Sequence, residues 1–406
     1  MVTMPRNKNA WKLVAFAVLA VAWGGNEFTP MMVFYRQEHV FSRVFVDALL
    51  ACYAAGIAVA LLLSGPLSDR YGRRVVMLPA PVVGLVGSIL IALGETNEPL
   101  IFIGRVLSGL SIGMAMTAGG SWIKELSTTH FDPTAKPNSG AKRATMSLTF
   151  GFGAGAGLAG VLAQWLPAPG QITYIVHILL SIAALVGLSR IPETRQSAHL
   201  KVRGSFWTDL RVPSMWNPRF IFAVLPIAPW VFGCAGVAYA IMPSLAQSES
   251  STPIAFSALV TALALALGFS IQQVSHWYIR PNNSRAQQVG LVIVIIGMII
   301  AAWTAKVGSI AGTIVVAVLL GTAYGICLIT GLTEVQRIAG PDDLGGLTAV
   351  FYAFTYIGFF FPMILTRLSE WFTYPIMLGF GAVMAALALV VVTITSKKFI
   401  PAPAEA

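Results

Sequence analysis

The sequence predicts an all-α integral membrane protein whose twelve transmembrane helices form two pseudo-symmetric six-helix bundles. Three observations carry that expectation. The 406 residues are 56% hydrophobic and only 10% charged, against roughly 25% charged in an average soluble domain. The apolar residues fall into repeated runs long enough to cross hydrocarbon, about 20 residues each. One long polar stretch near the middle, 191–217, leaves six such runs on either side. Backbone groups in hydrocarbon have no water to bond, so these runs must be helices, and they lack the alternating pattern of a membrane barrel.

In chain order, spans are expected near 11–35, 43–64, 75–94, 99–122, 143–166 and 171–190, then 218–246, 254–279, 286–304, 309–335, 344–366 and 374–395. The first run lacks a small-residue cleavage site and reads as a retained helix. Residues 1–195 form the expected N-terminal bundle, 196–217 a cytoplasmic linker and 218–406 the C-terminal bundle. Ile191-Pro192-Glu193-Thr194-Arg195 ends the sixth span, a helix-stopping Pro followed by charges. A second irregular stretch, Ser127 to Arg143, holds Pro133, Pro137 and Gly140, and the sequence assigns it no role.

A net charge of +10 raises the question of nucleic acid, but the distribution answers it. Alternate loops collect the basic residues, leaving Arg36, Arg43, Lys306 and Arg367 on the opposite side. That is the bias of loops that stay in the cytoplasm. Both termini are therefore expected to be cytoplasmic, in a multi-pass protein of the cell membrane, with no nucleic-acid partner. Cys52, Cys234 and Cys327 all lie in apolar spans without C-x-x-C spacing and read as core residues.

Between the second and third spans stands Gly65-Pro66-Leu67-Ser68-Asp69-Arg70-Tyr71-Gly72-Arg73-Arg74, read as a short cationic hairpin pinched between two apolar runs. It resembles the signature loop of the major facilitator superfamily, G-x-L-x-D-R-x-G-R-R, with every anchor met at the right place. The resemblance implies the fold of that family, and it points to the 12-helix drug or metabolite:proton antiporter branch. It also implies a conformational latch of Gly65, Asp69, Arg70, Gly72, Arg73 and Arg74. There Asp69 would cap the positive end of the eleventh helix near Gly345 and Gly346, and the arginines would join the halves and meet lipid phosphates. Arg280-Pro281-Asn282-Asn283-Ser284-Arg285 stands where the second half would repeat the hairpin, degenerate because Asp and Gly are lost.

Charges inside hydrocarbon cost about 2.5–3.5 kcal/mol each on insertion scales, which makes them functional candidates. Glu27 lies more than halfway along the first span, in Trp23-Gly24-Gly25-Asn26-Glu27-Phe28-Thr29-Pro30. Trp23, Glu27 and Met31 share a helical face, while Gly24, Gly25 and Pro30 would loosen the helix around the acid. Glu27 is thus a candidate to exchange a proton near neutrality; the alternative is a carboxylate near the outer surface paired with Arg36 or Arg43. Asp47, at the outer end of the second span, is either a helix-start residue held by the dipole or a second proton carrier.

Arg105, with Gly109 and Gly113 on the same ridge, resembles the family's second motif, R-x-x-x-G, which is associated with proton transfer. The alternative is an Arg snorkelling to the headgroups. Gly151, Gly155 and Gly160 resemble the antiporter motif G-x-x-x-G-P-x-x-G-G, which the chain leaves at Ala156 and Ala159. An antiporter motif and a small-residue packing ridge both remain open there.

Candidate solute-binding residues are Trp23, Asn26, Glu27 and Met31 in the first half, with Trp230, Tyr239, Tyr324, Tyr352 and Tyr356 in the second. Glu334 and Arg337 read as a surface pair. No nucleotide loop, zinc-protease, Ser-hydrolase or haem motif is present. Neither enzymatic activity nor a metal or other cofactor is expected, and the energy source would be the proton gradient. The expected function is proton-coupled export of a moderately hydrophobic, neutral or cationic small molecule by alternating access, with proton-linked uptake of a nutrient as the alternative. A non-transporting membrane receptor or scaffold is the rival from another class. The expected partners are a solute, protons and lipids, and the expected state is a monomer.

Overall fold

Twelve helices long and apolar enough to cross a bilayer run through the described residues of the computed structural model. Those residues are 9–38, 41–136, 139–194, 205–206, 210–246, 250–280, 283–340 and 344–399. Most of the expected linker (196–204 and 207–209), together with Pro137, Arg195, Pro281 and Asn282, lies outside them. The first six helices are α1 Ala10–Gln37, α2 Arg43–Tyr71, α3 Arg73–Leu93, α4 Glu98–Leu126, α5 Ser139–Trp165 and α6 Pro169–Ser189. The second six are α7 Phe220–Leu245, α8 Pro253–Gln273, α9 Arg285–Val307, α10 Ile310–Ile338, α11 Leu344–Leu368 and α12 Tyr374–Thr395.

Local chemistry sets where these helices begin and bend. Asn97 caps α4 by accepting the Leu100 N–H at 3.2 Å, and Ser309 caps α10 by accepting the Gly312 N–H at 3.2 Å. In α1 the regular helix is interrupted at Glu27, between Ala10–Asn26 and Phe28–Gln37. Pro30 has no N–H to return to the Asn26 carbonyl, so the helix is weakened one turn before it.

The cationic stretch Gly65–Arg74 departs from the expected hairpin. α2 continues through Pro66 to Tyr71, and the turn shrinks to Gly72, at φ +106°. Only glycine adopts that backbone readily. A Cβ there would also lie 2.5 Å from a Glu193 carboxylate oxygen. Glu193 uses that proximity to cap α3, accepting the backbone N–H groups of Arg73 at 3.1 Å and Arg74 at 2.8 Å. A carboxylate on a helix N-terminus is favourably placed against the dipole.

The chain divides into two compact units, one of Met1–Met31 with Cys52–Arg211, the other of Met32–Ala51 with Val212–Ala406. In the first, α1 packs on α5 and α6, and α3 packs on α4 and α6. In the second, α7 packs on α11, and α9 packs on α10 and α12. α1 on α5 thus recurs as α7 on α11, and α3 on α4 and α6 recurs as α9 on α10 and α12, as in a duplicated bundle. Close helix approach is achieved alike: a Cβ on Gly155 of α5 would meet the Trp23 carbonyl at 2.5 Å, and one on Gly358 of α11 the Pro229 carbonyl at 2.4 Å. Gly151 likewise abuts the Leu19 carbonyl at 2.4 Å, and Gly160 is buried on the same helix. These contacts put Gly151 and Gly155 at a close crossing with α1.

The 127–143 stretch is built around one ion pair. Arg143 reaches Asp132 at 2.8 Å and Ser127 Oγ at 3.0 Å, and its guanidinium lies 3.9 Å above the Trp11 ring at the start of α1. Asp132 also accepts the Thr134 hydroxyl at 2.6 Å and its N–H at 3.0 Å. The hydrogen bonds from Thr134, and then from Arg143, hold the Asp132 carboxyl below the usual carboxylate range.

Two outcomes are expected. Gly155→Val lowers stability by about 1–3 kcal/mol, read by thermal unfolding in detergent. Gly157→Val, whose Cβ meets nothing within 4 Å, shifts it by less than about 0.5 kcal/mol; equal effects would contradict the packing. For Asp132, whose folded pKa is depressed, the stabilisation is present above the unfolded value near 3.9 and is lost as the pH falls through the lower folded one. Asp132→Asn therefore lowers the unfolding temperature at about pH 7, and the gap from the native protein closes below about pH 4; a gap constant with pH would contradict it.

Candidate functional site

In the first unit, Glu27 is fully buried at the break in α1. Its Oε1 accepts the Ser88 hydroxyl of α3 at 3.2 Å and lies 3.7 Å from His177 Nδ1 of α6. The Ser88 oxygen is also 2.6 Å from that same Nδ1, and Ser181 Oγ lies 3.1 Å from His177 Nε2. Glu27 also interacts with the buried Trp23 indole N–H one turn before it, at a geometry short of a well-formed hydrogen bond.

The two glycines that the sequence assigned to loosening α1 make room instead. A Cβ on Gly24 would fall 2.3 Å from the His177 ring, and one on Gly25 2.8 Å from Tyr53 and Ile112. Arg105 of α4 is buried, at 1% exposure, so it does not snorkel. Its guanidinium stands 4.4 Å from the Phe28 ring and 4.2 Å from the Tyr53 ring, and it donates to the Gly25 carbonyl at 3.4 Å. Two aromatic faces hold the cation where solvent does not. Its electrostatic neighbours are Tyr53, Cys52, Tyr174 and Glu27.

Met31 keeps its place on the Glu27 face, its sulfur accepting from Thr173 of α6 at 3.8 Å. Asn26 is engaged structurally: it donates to the Phe152 carbonyl of α5 at 3.1 Å and accepts the Thr29 hydroxyl at 2.8 Å.

Asp47 belongs to the second unit. It is paired with Arg36, both side chains buried, and it accepts the Thr366 hydroxyl of α11 at 2.5 Å. Arg36 donates in addition to the Ala240 carbonyl at 3.0 Å. The partner of Arg36 is thus Asp47 rather than Glu27. A cavity of 340 Å³ opens beside the pair, lined by Arg36, Gln37, Arg43, Ser244, Thr366 and Tyr374 among others.

Four of the aromatic candidates gather in this unit around two rings that the sequence did not single out, Phe232 and Phe359. Phe232 stacks on Tyr356 at 4.4 Å and on Phe359 at 4.7 Å; Tyr324 lies 5.8 Å from Phe232, Tyr239 6.4 Å from Phe359, and Tyr352 6.4 Å from Tyr356. Trp230 stands apart against Phe361 at 5.9 Å.

The latch residues are tied inside the first unit. Arg73 bridges Asp69 at 2.7 Å and Glu125 at 2.8 Å, and Arg74 donates to the Ile191 and Ser189 carbonyls at the end of α6. Arg70 lies 5.8 Å from the Phe206 ring, and a Cβ on Gly65 would meet open space. Glu334 of α10 mirrors Glu125 of α4: it is buried and takes both Arg219 and Arg337 at 2.6 Å, more than the surface pair expected.

Ser88, His177, Glu125 and Glu193 are the polar residues that sequence reasoning missed. The signal for His177 was present: a His with Ser181 four residues on, inside an apolar run.

The model of the Major Facilitator Superfamily matches residues 14–363. The chain belongs to that superfamily. Among curated relatives, the 4-hydroxybenzoate transporter PcaK of Pseudomonas aeruginosa is 27% identical over 208 residues, covering 50% of this chain and 44% of that protein. This chain thus spans about half the length of that relative. A chloramphenicol resistance protein of Pseudomonas aeruginosa is 23% identical over 353 residues, covering 82% of this chain and 78% of that protein. The crystal structure of a D-xylose-proton symporter superposes with TM-score 0.71 at 15% identity, over 96% of this chain and 97% of that one, a likeness of fold alone. As a superfamily member this chain carries the facilitator fold, in twelve helices long and apolar enough to cross a membrane.

Proposed function

We propose that the protein is a proton-coupled secondary transporter that exports a moderately hydrophobic, neutral or cationic small molecule by alternating access. The observation that carries this reading is Glu27: a fully buried acid, interrupting its own helix, with the Ser88 hydroxyl as its one well-formed hydrogen-bond partner. A charge so placed costs several kcal/mol unless compensated, and a proton is the simplest removable compensation. Arg105, fixed between two rings, supplies a permanent positive charge against which the carboxyl's state is set. Asp47, already neutralised by Arg36, is the weaker proton carrier.

Solute class is read from the second unit. Phe232, only partly buried, is backed by the Tyr356 and Phe359 rings stacked against it, an aromatic environment suited to flat, weakly polar molecules. Of the relatives' named molecules, chloramphenicol is a neutral aromatic compound of that kind, whereas 4-hydroxybenzoate is an aromatic anion. In this reading no cofactor is used, the proton gradient is the energy source, both termini face the cytoplasm, and the protein works as a monomer in the cell membrane. Asp69 and its arginines act as a latch, released and remade once per cycle.

The test is transport by purified protein in liposomes, using solutes first selected by thermal shift, since a ligand stabilises the state it binds. An imposed pH gradient is expected to drive accumulation, with export in the sense of proton exchange. Glu27→Gln is expected to remove the response to the gradient, by at least tenfold in initial rate. Accumulation in the opposite sense identifies uptake. Flux indifferent to the gradient contradicts proton coupling, and no flux for any stabilising solute favours a receptor.

A further inference from the structure

We infer that His177 loads and unloads Glu27 through the hydroxyl of Ser88, so that the transported proton is handled by a three-helix relay rather than by a lone acid. The inference rests on the proton-coupled reading and deepens it. Three elements converge: Glu27 from α1, Ser88 from α3 and His177 from α6. The direct separation between Glu27 Oε1 and His177 Nδ1 is 3.7 Å, too long for a hydrogen bond. Ser88 closes the gap, at 3.2 Å from the carboxylate and 2.6 Å from the ring. The far ring nitrogen is not idle, since Ser181 Oγ lies 3.1 Å from Nε2. The ring sits against α1 only because position 24 is glycine, where a Cβ would overlap the imidazole.

Hydrogen counting gives the relay its direction. A serine hydroxyl has one hydrogen, and a neutral imidazole has one N–H and one acceptor. With Glu27 ionised, Ser88 donates to Oε1, so His177 must carry its hydrogen on Nδ1 and donate it to Ser88 Oγ. Nε2 then accepts from Ser181, and the Ala20 backbone of α1 is a further hydrogen-bond partner of the ring. A proton arriving at Ser181 Oγ, as that hydroxyl passes its own hydrogen to Nε2, makes the imidazolium. Nδ1 then gives its hydrogen to Ser88 Oγ while the Ser88 hydroxyl hydrogen passes to Glu27 Oε1. The products are a neutral carboxyl, an intact serine hydroxyl now donating to Nδ1, and a neutral imidazole protonated on Nε2. One proton has entered and one O–H bond has formed on Glu27, and the reverse sequence discharges it. The tautomer of His177 thus records whether Glu27 holds the proton.

Other ionisable groups around the relay are few. Arg105 comes from α4 and stays charged, Tyr53 and Cys52 come from α2, and Tyr174 shares α6 with the histidine. Glu95 is engaged by Gln171 at the start of α6. α3 carries no ionisable residue from Pro79 to Leu93, and α5 none from Thr149 to Trp165. No second acid competes for the histidine within these spans.

The test is nuclear magnetic resonance of isotope-labelled histidine in the full-length protein in nanodiscs. The chain has 5 histidines, and His177→Gln identifies the signal of interest. Lowering the pH from about 9 to about 5 is expected to convert the ring from the Nδ1–H to the Nε2–H tautomer. Ser88→Ala and Glu27→Gln are each expected to abolish that conversion. A merely structural histidine keeps one tautomer throughout, and that result would overturn the relay. So would a conversion that persists in Ser88→Ala. Liposome flux separates the two levels. Gradient-driven flux with a static ring removes the relay alone, whereas a switching ring in a protein whose flux ignores the gradient removes the transport reading and leaves the relay standing.

Discussion

A carboxylate set inside an apolar helix bundle is the constraint from which the rest of the first unit follows. Its insertion costs about 2.5–3.5 kcal/mol, while a hydrogen bond to a charged group returns about 1.5–3. Ser88 supplies one such bond and His177 stands behind it, so the cost is offset without being removed. The neighbouring features exist to make this placement feasible. Pro30 weakens the helix at the acid, Gly24 admits the imidazole, and Arg105 is caged by Phe28 and Tyr53 where it acts on the carboxyl.

Around this site the scaffold is a repeated packing scheme. α1 on α5 recurs as α7 on α11, and α3 on α4 and α6 recurs as α9 on α10 and α12, with glycines meeting carbonyls in both halves. The repeat is structural rather than chemical. The second half has no buried acid on α7 to match Glu27, and presents aromatic stacks centred on Phe232. Polar pairs close the ends: Arg36 with Asp47, Arg73 with Asp69 and Glu125, Arg219 and Arg337 with Glu334.

Much of this was legible in the sequence because hydrocarbon imposes a simple rule. The last span was read as 374–395 and runs Tyr374–Thr395, since length and hydropathy alone determine it. Glu27 and Arg105 stood out because a charge in an apolar run breaks that rule. The cationic stretch misled locally: Pro66 and Gly65 read as loop residues, yet Pro is tolerated in membrane helices and the turn narrowed to Gly72. Ser88 escaped notice because a serine violates nothing in a membrane helix, and His177, though visible as a His in an apolar run, had no partner legible in the sequence. Their meaning comes from a separation of 61 residues between Ser88 and Glu27 and 89 between Ser88 and His177. Phe232 was invisible for the same reason, one phenylalanine among 23.

The central claim is that Glu27 itself carries the coupled proton. It is tested most directly with a pH-sensitive dye sealed inside liposomes bearing the purified protein. Solute added outside, with no gradient imposed, is expected to shift the internal pH when the native protein is present and to leave it unmoved with Glu27→Gln. An equal pH shift from both proteins would place the proton on another group and contradict the account.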